Sequence, residues 1–247
     1  AAPSVKTEHA TWMDGSNQYI VTSTNENITV THKQYNPVTG AYTAGVAPVT
    51  FASDTTANAL EVPLNLSITG DATHIWVAYR IEEADFFITP TSVMRVRRID
   101  RASLGAPGVF DINVVTAMIG NISLNTAQTN WYLPYIDFNN SNHISVRYDA
   151  VGTATGGSNE ALNLITTPVT SLYSGIDSTN GDILVVYKDT ATGIHSMSSI
   201  DTSVVPLHVP AHSQTVLNIF GGTAVTKIDI AGARAGNAFN YVAALTG

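Results

Sequence analysis

Glu82 and Glu83, with Asp85 two residues on, are the one cluster of neighbouring carboxylates in this chain. Cleaving a glycosidic bond takes two carboxyl groups that face one bond across a cleft. Adjacent residues on a strand point to opposite faces, so Glu82 and Glu83 read as part of a solvated excursion between strands. The same excursion carries Phe86 and Phe87, and a later one carries Trp131 and Tyr132. Exposed aromatic rings of this kind could stack on a ligand, and these four are the stacking candidates. Arg80, Arg147 and Arg234 fall in or near apolar stretches that also hold Tyr79, Tyr148 and Tyr187, with Arg80 and Arg147 the candidate ligand-binding cations. His74 and His143 stand just before matching strands, where a turn hydrogen bond explains them without a metal. Asp177 with Asp182, or Asp71 in its own turn, offers oxygen ligands for Ca2+, which needs six to eight of them. No metal site is assigned, no cofactor is expected beyond that calcium option, and no catalytic residue is identified. HExxH, the P-loop, GxSxG and the EF-hand loop are all absent from the sequence.

These residues belong to a pattern. IDFNNSNHISVRYD, Ile136 to Asp149, is followed by IDSTNGDILVVYKD, Ile176 to Asp189, and preceded by SITGDATHIWVAYR, Ser67 to Arg80. Each reads as a strand, a turn rich in Asn, Ser, Asp and Gly, and a second strand with period two. The inward triplets are Ile75, Val77 and Tyr79; Ile144, Val146 and Tyr148; and Ile183, Val185 and Tyr187. Weaker copies follow Asp14, aligned on Ile20, and Asp229, aligned on Tyr241. The aspartates Asp14, Asp137, Asp177 and Asp229 are placed to accept backbone N–H bonds across their turns. A third strand follows most copies: 27–33, 92–100, 160–166 and 193–201. The stretches 82–91 and 104–130 read as long excursions.

Bulk properties narrow the class. The chain has 247 residues, 44% of them hydrophobic, enough for a sizeable core in a single domain, 1–247. Charged residues make up 12%, and cysteine is absent. That leaves a surface of neutral polar groups, which fits the outside of a cell or a virion, and it excludes disulfides and thiolate metal sites. A net charge of −8 argues against a nucleic-acid partner. The one basic run, Arg95, Arg97, Arg98 and Arg101, reads as a solvated sheet edge that discourages pairing. No apolar run is long enough for a membrane span. The opening AAPS is similar to the residue of signal-peptide cleavage, which with the composition points to a secreted or surface-displayed protein.

Helical periodicity is missing, and Gly and Pro interrupt the chain every ten or so residues, so the fold is all-β. Units recurring at a mean near fifty residues fit a β-propeller, with five blades as the count. Ser4 to Ala10 pairing with Lys227 to Leu245 would close the ring and complete the shortened last copy. The motif, an apolar-Asp step before HIxVxYD and a strand ending in ID, resembles repeats of secreted bacterial β-propeller proteins that read HISYYD. More distantly it is similar to Asp-box repeats of sialidase-type propellers, though the full Asp-box signature is not present. That resemblance implies fold more than activity. Sialidase-type catalysis would further require an arginine triad and a tyrosine nucleophile with a glutamate beside it.

The sequence therefore leads to a non-enzymatic, secreted or surface-displayed propeller acting in recognition or adhesion, with a glycan or another surface protein as partner. The alternative is a self-assembling subunit of a filament, pilus, surface layer or virion. A sialidase-like glycosidase is the third reading.

Overall fold

The computed structural model describes residues 8–24, 27–53, 61–83, 92–105, 108–152, 159–177, 180–203, 207, 231–235 and 238–242. Those residues form antiparallel β-sheets with one 3-10 turn and no α-helix. No helix among them is long and apolar enough to cross a membrane. The chain divides into two compact units, 1–115 and 116–247.

In the first unit β1 (His9–Asp14), β2 (Asn17–Thr24) and β3 (Asn27–Asn36) form a meander. The ten-residue β3 is then shared: its start pairs with β5 (Val49–Ala52) and its far end with β4 (Ala41–Ala44). A second meander runs β6 (Glu61–Gly70), β7 (His74–Glu83) and β8 (Ser92–Asp100). The core lies between alternating faces: Tyr19, Val21, Ile28 and Val30 pack with Ile68, Ile75, Val77, Tyr79, Ile81 and Ile99. β9 (Gly108–Ile119) pairs with β8 through residues up to Val115.

In the second unit the rest of β9 pairs with β11 (Asn130–Asp137), which also takes β10 (Ser123–Leu124). β11 then pairs with β12 (His143–Ala150), and β12 with β13 (Asn159–Ile165), the last strand of that order. A three-stranded sheet follows, β14 (Val169–Ile176), β15 (Ile183–Asp189) and β16 (His195–Ile200). A hairpin of β17 (Ala231–Ala235) and β18 (Ala238–Val242) ends the described chain. Ile136, Ile144, Val146, Tyr148, Leu172, Ile183, Val185, Tyr187 and Ile200 form this unit's core.

The three triplets occupy equivalent places. Each lies on the middle strand of three, and its isoleucine stands opposite one residue on each side: Ile75 between Gly70 and Ile99, Ile144 between Ile136 and Ile165, Ile183 between Ile176 and Ile200. All nine triplet side chains are buried. The turn before each middle strand is closed by an aspartate. Asp71 Oδ1 accepts from the N–H groups of Thr73 and His74 at 2.6 and 2.7 Å, and Asp137 Oδ1 from Asn139 at 3.0 Å. Asp177 uses its backbone, accepting from Gly181 N–H and donating to the Asp182 carbonyl, both at 2.8 Å. A left-handed Gly181, φ +81°, makes that turn, and a Cβ there would stand 2.7 Å from the Thr126 hydroxyl.

Several expectations are corrected. In the first copy Tyr19, Val21 and Ser23 face inward, while Ile20 is half-exposed, because the two-residue turn at Gly15 and Ser16 shifts the register by one. The carboxylate of Asp14 leaves its own turn and pairs with Arg101. Within 104–130, expected as an excursion, the alternating GVFDINVVTAMI is the twelve-residue β9. The basic run is not a solvated edge: β9 covers β8, and Arg95 and Arg97 are buried. Of Ser4 to Ala10, His9 and Ala10 pair with Thr22 and Val21 of β2, Glu8 exchanges hydrogen bonds with Ser23 of the same strand, and 4–7 lie outside the described residues. Among the described residues the two chain ends do not pair. Asp229 also lies outside them.

Candidate functional site

Trp131 and Tyr132 are neighbours on β11 and therefore point to opposite faces. Both are buried, at 0% and 3% exposure, so neither is an open stacking platform. Tyr132 stacks on Tyr148, its cross-strand partner, with centroids 5.9 Å apart. Phe86 and Phe87 lie outside the described residues. Arg80 donates from Nε to Asn65 Oδ1 at 3.2 Å on the adjacent strand of the first unit. Arg147 stands in the second unit.

Arg147 is the residue around which chemistry gathers. Residues 143, 145, 147 and 149 of β12 lie on the face opposite the core triplet, and there Arg147 pairs in register with Leu133 on one side and Glu160 on the other. Its Nε lies 3.2 Å from Glu160 Oε1. The Tyr135 hydroxyl, from the strand beyond, donates to that same oxygen. Three adjacent strands thus deliver a phenol, a guanidinium and a carboxylate to one point. The Glu160 and Arg147 side chains are 22% and 18% exposed, whereas Tyr135 is fully buried. Burial, reinforced by the bond to Glu160, pushes the Tyr135 phenol far above the ordinary tyrosine range, so it stays a donor. Asp149 shares this face two residues along from Arg147, hence diagonal to Glu160; it is buried, and its Oδ1 accepts from the Ala150 N–H at 2.8 Å. β13 is the end strand of its order, and Leu162, two residues past Glu160, is 51% exposed, so solvent reaches the cluster along this edge.

Sequence reasoning held Arg147 but missed Glu160 and Tyr135. Their signal was the register between strands, which pattern within a strand does not carry.

A second polar cluster belongs to the first unit. Arg101 donates to the Tyr19 hydroxyl at 3.0 Å and the Asp71 carbonyl at 2.9 Å, and meets Asp14 Oδ2 at 2.5 Å. Its guanidinium lies over Trp12 and Tyr19, and Tyr19 stacks on His32 with centroids 4.5 Å apart. Burial, then the charge of Arg101, holds the His32 imidazole below its ordinary range. Each of the three guanidinium nitrogens meets a protein acceptor, so the clasp reads as a tie between turns. Among the described residues no group of three or more His, Asp or Glu side chains is arranged to hold a metal ion. Asp71 spends Oδ1 on Thr73 and His74.

No family model matches the chain, and no curated protein matches it. The likeness to HISYYD-type repeat proteins therefore stands on the quoted residues alone. Solved structures do share the fold. A triple arginine-to-alanine mutant of AofleA from Arthrobotrys oligospora is 14% identical with a TM-score of 0.54, over 86% of this chain and 58% of that one. Xylan β-1,4-xylosidase from Bacillus halodurans C-125 is 10% identical with a TM-score of 0.50, over 96% of this chain and 49% of that one. A GH43 endo-arabinanase from Bacillus licheniformis is 13% identical with a TM-score of 0.46, over 92% and 82%. The chain thus spans about half the length of the first two.

These findings overturn the non-enzymatic recognition and adhesion reading. A fold shared with a xylosidase is not one that argues against catalysis. The open aromatic platform on which that reading leaned is also absent at Trp131 and Tyr132, which are core.

Proposed function

We propose that this chain is a carbohydrate-active β-propeller-type domain, built of five blades, that hydrolyses glycosidic bonds at the Glu160 cluster. The blades are the β1–β3, β6–β8, β11–β13 and β14–β16 meanders with the β17–β18 hairpin as the fifth. Support for the propeller is the equivalent placing of the three triplets and the shared fold.

The observation that carries the functional reading is the double grip on one oxygen of Glu160, a carboxylate that is still 22% exposed. A carboxylate so fixed can orient a water or stabilise positive charge developing on a sugar ring. Asp149, diagonal to Glu160 on the same face, is the second carboxyl that the chemistry needs. Arg147 and Tyr135 are positioning residues. The xylosidase supplies the class of substrate to try first, a polysaccharide of neutral sugars.

Release of reducing ends from xylan, arabinan and a panel of neutral polysaccharides tests this. Glu160→Gln should lower the rate by about a hundredfold or more with the fold intact. Turnover unchanged in Glu160→Gln, or no turnover of any glycan by the wild type, would sink the reading.

A further inference from the structure

The far end of β3, β4 and the turn between them project as a hairpin in which every residue from Lys33 to Ala44 is exposed except the half-exposed Tyr35. Such a ribbon gains little from burial, and an isolated two-stranded hairpin is marginal in water. It is nonetheless tightly ordered. Asn36 Oδ1 accepts from Val38 and Thr39 N–H at 2.9 and 3.3 Å, and the Asn36 carbonyl from Gly40 N–H at 2.8 Å. Gly40, at φ +68°, supplies the left-handed residue of the turn. Thr43 Oγ1 ties back to the Gln34 carbonyl at 3.4 Å.

On one face of this ribbon Tyr35 and Tyr42 stand opposite each other across the strands, ring centroids 5.1 Å apart. Tyr42 is 48% exposed, and at the tip Val38 is 91% exposed. From Gln34 to Ala44 the sequence QYNPVTGAYTA has no charged side chain, and its polar groups are two amides, two hydroxyls and the two phenols.

We propose that the Tyr35–Tyr42 face of this hairpin is a binding platform for neutral polysaccharide. Tyrosine rings offer an apolar face to the C–H side of a sugar ring and a hydroxyl at the rim. The flanking amides and hydroxyls match a ligand that is rich in hydroxyls and has no charge. The platform carries one cation, Lys33, two residues from Tyr35 on the same face, where a phosphate-bearing polymer would call for a cluster of them. Because the hairpin is already fixed by its own hydrogen bonds, little conformational freedom is lost when a ligand settles on it. The choice of ligand class rests on the carbohydrate reading above.

Native gel electrophoresis with arabinoxylan, linear arabinan or mixed-linkage glucan in the gel, and polygalacturonate as the charged control, decides it. Wild type and Glu160→Gln should both be retarded by at least one neutral polymer and not by polygalacturonate. Tyr42→Ala, at an exposed position, should melt like wild type and bind about tenfold more weakly; Tyr35→Phe should bind nearly as wild type. Retention of the wild-type retardation in Tyr42→Ala overturns the proposal. So does a wild type that no neutral polymer retards, or a Tyr42→Ala change that only converts a dimer to a monomer in sedimentation. Retardation through Tyr42 without any turnover would leave this inference standing and remove the hydrolytic one.

Discussion

Arg147 and Glu160 stand opposite each other on neighbouring strands, Nε to Oε1 at 3.2 Å, and the oxygen they share is also the acceptor of the buried Tyr135 hydroxyl. The pair is partly open and the phenol is closed off, so the carboxylate is anchored from the inside and approachable from the outside. Substitution on either side of it should separate the two roles.

Tyr135→Phe removes the inner anchor. Since the folded protein holds the Tyr135 proton far above the ordinary tyrosine range, the unfolded chain releases its proton first as pH rises past about 10. Stability is then lost with rising pH. Denaturant melts between neutral pH and the alkaline range should show this decline in the wild type and a shallower one in Tyr135→Phe. Equal slopes would place the phenol in solvent contact.

Tyr148→Ala truncates a buried ring that stacks on Tyr132, and should destabilise by about 3–5 kcal/mol through the cavity left behind. Urea denaturation measures it. A loss below about 0.5 kcal/mol would mean a ring lying at the surface.

Arg101 and Asp14 form an ion pair whose members differ in burial, the Asp14 side chain being 51% exposed. Asp14→Asn should therefore cost at most about 1 kcal/mol. Arg101→Ala also forfeits the bonds to Tyr19 and the Asp71 carbonyl and the ring contacts, and should cost about 1–3 kcal/mol more. Chemical melts of the two single variants at equal salt make the comparison.

Asp182 is buried, and that burial, with the negative charge of Asp201 behind it, holds its carboxyl above the ordinary aspartate value. A raised carboxyl contributes stability below the unfolded value and loses it as pH rises through the folded one. Asp182→Asn should flatten this slope across the mildly acidic range. Melting temperatures measured from about pH 4 upward test it; parallel curves for the two proteins would rule it out.

Legibility in the sequence followed the physical range of each signal. Period-two alternation located the middle strands, because inward isoleucine, valine and tyrosine repeat within one strand. It also set all four following strands near their observed limits. β9 escaped because turn residues flank it and mask its apolar alternation. The sequence aligns the first copy on Ile20, whereas Tyr19 faces inward because a two-residue turn shifts register by one, which no count from Asp14 foresees. The Glu160 cluster needed three strands to be laid side by side, with Glu160 thirteen positions after Arg147 and a register set by a bulge. The burial of Arg97 depends on the Tyr79 hydroxyl and Ser53 carbonyl, 18 and 44 residues away.

The aspartate-closed turns have a kinetic meaning as well. Asp71, Asp137, Asp189 and Asp201 each bind backbone donors only two or three residues ahead, so each turn can close before any distant part of the chain has arrived. Hairpins of this size form in about 1–10 μs. Refolding of this chain then has several independent starting points, and its slow step is the docking of hairpins already made. Replacing one of these aspartates by alanine leaves the other nuclei at work, so the refolding rate falls far less than it would in a protein that starts from a single nucleus.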